Sequence, residues 1–371
     1  MTNSRNSHIR WLLVFWMFLV SAIAYLDRVN IAIAGQSIAA EFHLDNVHLG
    51  WVFSAFVLGY ALFQAPGGSL ADRVGARRTL TFGVIWWGIF TALITLLSPN
   101  LIALLPLLIG VRFLLGIGEA VVYPASNCIV AAWIPSAERG IANGIIFAGV
   151  GFGAGITPPL ISYLTVHYGW RASFWASAIL GLFAGSVWYV IARDKPSQHP
   201  AVSTREADLI DAGLPQTRVR ASGTVKLSWR TILKDRNVQA VTFSYFTYGY
   251  AAYIFFSWFF IYLRTVRKLD VRESSYYTML PFLAMAIGSP VGGWISDRLT
   301  KHWSKRVGRC YLASAAILVC AGFIIVATQV GSARLASVVL AGGVGALMFR
   351  RVHSGQCRLI SGKSRPAQSR D

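Results

Sequence analysis

Ten stretches of this chain are long and apolar enough to cross a bilayer, and that leaves very few architectures open. They lie near residues 11–35, 48–70, 79–97, 101–124, 140–164, 171–192, 238–263, 276–296, 310–329 and 332–349. About 20 apolar residues span the hydrocarbon core. Inside it no water is available to backbone N–H and C=O groups, so each stretch must satisfy its own hydrogen bonds as an α-helix. The expected fold is therefore an all-α integral membrane protein. Composition agrees: 55% of the 371 residues are hydrophobic and 13% charged, about half the charged share of a soluble domain.

The formal net charge of +19 would suggest nucleic acid in a soluble protein. Here the basic residues sit mainly in connectors between apolar runs, as in cytoplasmic loops beside anionic lipid, so a nucleic-acid partner is set aside. The connectors also alternate. Arg73, Arg77 and Arg78 follow the second run, Arg139 the fourth, a mixed segment from Arg193 to Arg236 the sixth, and Arg298, Lys301, Lys305, Arg306 and Arg309 the eighth. The intervening connectors carry Glu41 and Asp45, or Ser98-Pro99-Asn100. A multi-pass protein of a cell inner membrane with a cytoplasmic N-terminus is expected. The connector 264–273, with Arg264, Arg267, Lys268 and Arg272 against Asp270 and Glu273, breaks the alternation. No small-residue cleavage site follows the first run, which is expected to stay uncleaved.

Residues 193–237 read as a cytoplasmic linker between an N-terminal bundle (1–192) and a C-terminal one (238–349), with a basic tail from 350 to 371. Pro196, Pro200 and Pro215 interrupt the linker, and the stretch from Glu206 to Ala212 is expected to form a short surface helix. Cys128, Cys310, Cys320 and Cys357 lack metal-ligand spacing and read as packing residues. The six histidines considered (43, 48, 167, 199, 302 and 353) fall in connectors or the tail. No nucleophile–base pair and no metal or cofactor motif stands out, so an enzyme is not expected.

Asp27, Arg28, Arg112 and Glu119 are ionisable residues lying deep inside the apolar runs, away from their ends. A charge at bilayer depth is costly, and usually faces a protein interior or a water-filled path. Arg112 and Glu119 are seven residues apart, so they fall about 20° apart around a helix and about 10 Å along it, on one face. A guanidinium there would attract an anionic solute, and a desolvated carboxyl would take up a proton near neutrality; alternatively the pair locks this helix to a neighbour. Asp27 and Arg28 are adjacent, so they point about 100° apart and cannot share one partner. A glycine-rich run (Gly144, Gly149, Gly151, Gly153, Gly155) precedes Pro158 and Pro159. It suits either a flexing contact between bundles or plain close packing.

The chain also repeats itself. Gly67-Gly68-Ser69-Leu70-Ala71-Asp72-Arg73 returns as Gly292-Gly293-Trp294-Ile295-Ser296-Asp297-Arg298. Each copy ends the second apolar run of its half, which argues for a duplicated unit.

The connector from Gly68 to Arg78 (GSLADRVGARR) resembles the signature loop of the major facilitator superfamily between its second and third helices. Tyr25-Leu26-Asp27-Arg28-Val29-Asn30, and Arg112 to Ala120 (RFLLGIGEA) with Tyr123-Pro124-Ala125, are similar to the anion:cation symporter family within it. Members of that family import sugar acids and other organic anions with protons. The resemblance covers about residues 8–349 and implies two six-helix bundles around a central site, working by alternating access.

It further implies proton coupling at Asp27 and Glu119, and substrate binding or gating at Arg28 and Arg112. Tyr25 and Asn30 would line the site, or serve packing. Asp72, Arg73, Arg77 and Arg78 would form a cytoplasmic latch, or simply orient the chain. The expected partners are a small carboxylate solute, protons and the lipid bilayer, with the chain acting as a monomer. Only four runs follow the linker, giving about ten transmembrane helices (six plus an incomplete four), and Phe349 to Asp371 is basic and off-pattern. The chain thus resembles a C-terminally truncated member, which leaves a second reading: a truncated or frameshifted remnant that does not transport. A drug exporter suits the fold but not the intramembrane arginines.

Overall fold

In a computed structural model, residues 7–136, 138–214, 234–304, 307 and 311–347 are described; the basic tail and residues 215–233 of the linker lie outside them. Among the described residues every expected run falls mainly on helix, and no strand occurs. The helices are α1 (Ile9–Phe42), α2 (Asn46–Val74), α3 (Ala76–Thr95), α4 (Leu104–Ala120), α5 (Val122–Trp133), α6 (Arg139–Tyr168), α7 (Trp170–Ile191), α8 (Thr204–Gly213), α9 (Arg236–Ser257), α10 (Phe259–Thr265), α11 (Val271–His302), α12 (Leu312–Gln329) and α13 (Ala333–Leu347).

Seven spans among the described residues are long and apolar enough to cross a membrane, with α4 and α5 together forming one of 30 residues. The stretch Phe246–Ser257 and α10 form an eighth if taken as one span bent by 47°. α13 is apolar but shorter.

The described residues divide into two compact units, with the boundary after Met279, inside α11. In the first, α1 packs along α6 and α7, α2 along α4, and α3 along α4 and α7. Glycines set these distances. A Cβ on Gly149 or Gly153 would overlap the α1 carbonyls of Phe18 and Ala22. Those two glycines are therefore close-packing residues within the unit, whereas Gly144 meets nothing. Phe15, Leu58, Leu62, Phe82 and Phe183 remain exposed along the helices, the surface a lipid-facing bundle presents. In the second unit α12 and α13 pack together, with Phe323 against Gly342 and Gly343, and Gly288 meets the Gly345 carbonyl.

Short segments tie the helix ends. Ser203 caps α8 by accepting from Glu206 N. Glu206 itself is buried and reaches across to α1, accepting from Ile9 N and Arg10 N at 3.1 Å each. Arg10 completes this knot with Glu138 at 3.2 Å and Glu206 at 3.5 Å. At the other end Arg171 bonds Glu41 at 2.8 Å, Thr95 O at 3.1 Å and Leu97 O at 3.1 Å, joining α1, α3 and α7.

The connector 264–273 uses its basic residues locally. Arg264 donates to Leu269 O, Arg267 to the Tyr262 hydroxyl, and Asp270 caps α11 by accepting from Glu273 N. Its charge is thus partly a matter of folding the turn.

Candidate functional site

The site is built on α1, α2, α3 and α4, and its first requirement is that α4 lie very close to its neighbours. Gly116 and Gly59 let α4 and α2 press together: a Cβ on Gly116 would overlap the Phe56 carbonyl, and one on Gly59 the Phe113 carbonyl. Gly118 and Gly83 do the same between α4 and α3. This wedging brings the Arg112–Glu119 face of α4 against α1 and α2.

All four intramembrane charges are buried: Asp27 is 1% exposed, Arg28 8%, Arg112 2% and Glu119 0%. Arg28 Nε donates to Glu119 Oε2 at 2.6 Å. Its guanidinium also lies over Tyr60 at 4.2 Å, Tyr25 at 4.6 Å and Phe56 at 5.2 Å. Arg112 lies over the same Phe56 ring at 4.9 Å. The two cations therefore share one aromatic ring, an arrangement that stabilises positive charge without neutralising it. Asp27 turns elsewhere and accepts from the Thr91 hydroxyl of α3 at 2.6 Å. Adjacent on the chain, Asp27 and Arg28 thus take partners on different helices, as their 100° separation requires.

This network is incomplete. Arg112 Nε and Nη1, Arg28 Nη2, Glu119 Oε1 and Asp27 Oδ1 are buried without a hydrogen-bond partner. Unpaired charged donors and acceptors are expensive to hold in a protein interior. Their concentration on four neighbouring side chains is what sets this cluster apart chemically from the packing around it.

The other expected residues divide. Tyr25 packs on Phe256 of α9 at 5.3 Å and stacks over Arg28, so it belongs to the cluster. Asn30 spends both ends of its amide on α7, donating to Ser177 Oγ and accepting from Ser173 Oγ. Asp72, Arg73, Arg77 and Arg78 lie apart, at the α2–α3 turn. There Asp194 accepts from Arg77 N at 2.8 Å, Arg77 donates to Tyr189 O, and Cys128 Sγ donates to Asp72 Oδ1.

Phe56, Tyr60 and Thr91 were not foreseen as site residues. The spacing of Phe56 and Tyr60, four apart on one helical face, was the available signal. Thr91 offered none beyond being a polar residue in an apolar run.

A bundle of membrane-crossing helices around a buried quartet of two carboxylates and two guanidiniums defines a polytopic α-helical membrane protein. The family model described as Major Facilitator Superfamily matches residues 17–351, and the chain belongs to that superfamily. It is 34% identical over 302 residues to the probable sulfoacetate transporter SauU of Cupriavidus necator (81% of this chain, 67% of that protein). It is 32% identical over 306 residues to the probable galactarate/D-glucarate transporter GudP of Bacillus subtilis (80% and 67%). It is 35% identical over 295 residues to the probable anion transporter 1, chloroplastic, of Oryza sativa subsp. japonica (79% and 54%).

The chain thus spans from about half to two thirds of the length of these curated relatives. Their names agree with the anion:cation symporter resemblance. Among solved structures, the fold matches an inward-facing, unoccupied bacterial homologue of the lysosomal transporter Spinster, with TM-score 0.71 and 20% identity (94% of this chain, 76% of that one). It also matches the proton:xylose symporter XylE, with TM-score 0.63 and 15% identity (94% and 81%).

Proposed function

We propose that this protein carries a small organic anion of the sugar-acid class across a bacterial inner membrane by secondary active transport coupled to protons. The observation that carries this reading is the buried Arg28–Glu119 bond at 2.6 Å, beside an Arg112 whose Nε and Nη1 have no partner. A guanidinium fork matches a carboxylate, and two of them in one buried cluster suit an anion and not a neutral solute.

Coupling follows from who holds Arg28. With Glu119 ionised, Arg28 is engaged and a second carboxylate must compete for it. A proton on Glu119 removes that competitor and frees Arg28 to join Arg112 on the solute. Proton and anion thereby favour each other, and by linkage each raises the other's affinity by the same factor. Asp27 is the second proton carrier. Loading both species shifts the balance between two access states of the bundles.

In this reading Tyr25 lines the solute path, and Asn30 fixes α1 to α7 at its edge. Asp72, Arg73, Arg77 and Arg78 help hold one access state at the cytoplasmic face. The repeated GGSLADR and GGWISDR segments support treating residues 1–192 and 238–349 as two related halves joined by 193–237, with one chain as the working unit.

The test is uptake of labelled sugar acids and aromatic acids into vesicles under an imposed pH gradient. Accumulation of a carboxylated solute, lost in Glu119→Gln while solute exchange survives, is the expected result. Undiminished accumulation by Glu119→Gln sinks the coupling role.

A further inference from the structure

Thr91 sends its hydroxyl proton off its own helix, as Ser173 does toward Asn30, but to a carboxylate. Inside helices, Ser and Thr commonly return their hydroxyl to a carbonyl one turn back on their own helix. Thr81, Thr157, Thr265, Thr278, Ser126 and Ser177 all do so here. Thr91 is fully buried, yet its hydroxyl leaves α3 and is donated to Asp27 Oδ2 of α1 at 2.6 Å. Asp27 Oδ1 has no partner, so the Thr91 bond is what holds the carboxyl in place.

We infer that Thr91 is a positioning residue for the proton site. It fixes the Asp27 carboxyl in one orientation, with Oδ1 presented for protonation, through a hydrogen bond that a carboxylate accepts better than a carboxylic acid. This rests on the reading of Asp27 as a proton carrier, and gives α3 a part in the proton site. The charged groups bearing on Asp27 are Arg28 on its own helix and Arg112 and Glu119 of α4. α3 offers the Thr91 hydroxyl, while α6 and α7 meet α1 with glycines and serines. None of these charges is altered by changing Thr91, so the effect of its hydroxyl can be isolated.

Two measurements test this. The first is infrared difference titration of the purified full chain without solute, following the carboxylic C=O band that disappears in Asp27→Asn. Thr91→Val keeps the shape and removes the donor. The band midpoint is expected to rise by about one pH unit, a tenfold gain in proton affinity, and Thr91→Ser to restore it. The second is the pH profile of galactarate uptake into vesicles. Its half-maximal external pH should move upward in Thr91→Val, and the Thr91 substitution should have no further effect on an Asp27→Asn background.

Should Thr91→Val not yield folded protein, Thr91→Ala replaces it in both. An unmoved infrared midpoint, an Asp27 carboxyl that never titrates, or equal effects with and without Asp27 overturns the inference. A moved midpoint in a protein that transports no carboxylated solute upholds Thr91 and rejects the transport reading instead.

Discussion

At the scale of single residues, the chemistry of the site rests on geometry that a lysine cannot imitate. Arg112 lies over Phe56 at 4.9 Å with two N–H directions unpartnered, so its value to an anion is the planar fork. Arg112→Lys keeps the charge and loses the fork. On the proposed function, the half-saturating concentration for solute should rise by roughly tenfold or more in concentration-dependent vesicle uptake, since a hydrogen bond to a charged group is worth about 1.5–3 kcal/mol.

The four charges were legible in the sequence because a charge inside an apolar run is conspicuous. So was their division into separate directions, since helical geometry fixes the angle between neighbours. Phe56, Tyr60 and Thr91 were not. An aromatic or a threonine in a membrane helix looks like ordinary packing until the fold sets a cation or a carboxylate beside it. Asn30 shows the converse, because its polarity drew attention while its amide is committed to Ser173 and Ser177.

At the scale of elements, the existence of the helices was plain and their ends were not. The first run was expected to stop at residue 35, but α1 continues to Phe42; the fourth was expected to stop at residue 124, but α5 continues to Trp133. Hydropathy reports where a helix crosses hydrocarbon. Its length is decided by caps and contacts beyond that zone, such as Glu41 with Trp170 and Arg171.

The expected surface helix after the sixth run is α8, yet its Glu206 turned out to cap a different helix. Removing that carboxylate takes the acceptor from Ile9 N and Arg10 N and leaves the Arg10 guanidinium with Glu138 alone. Glu206→Ala should therefore cost about 1–3 kcal/mol, visible as a lowered thermal midpoint in detergent. Gly116→Val should be worse, since the α2–α4 contact has no room for a side chain; loss of folded protein on size-exclusion chromatography is the expected outcome.

At the scale of the whole molecule, the alternation of basic and poor connectors gives a topology that can be checked directly. In a chain freed of its four cysteines, Asp208→Cys should react with a membrane-impermeant maleimide only in inside-out vesicles, and Asn100→Cys only in right-side-out ones. Labelling of both from one side contradicts the proposed orientation.

The knot at Glu206 also bears on how such a chain is made. The backbone amides that open α1 have their carboxylate acceptor almost 200 positions downstream, past five further membrane crossings. While the ribosome is still working through those crossings, these two amides lack that carboxylate. Their acceptor is there only once residue 206 has left the exit tunnel, so the first helix made is completed at its front after the sixth crossing, with α9–α13 still to follow.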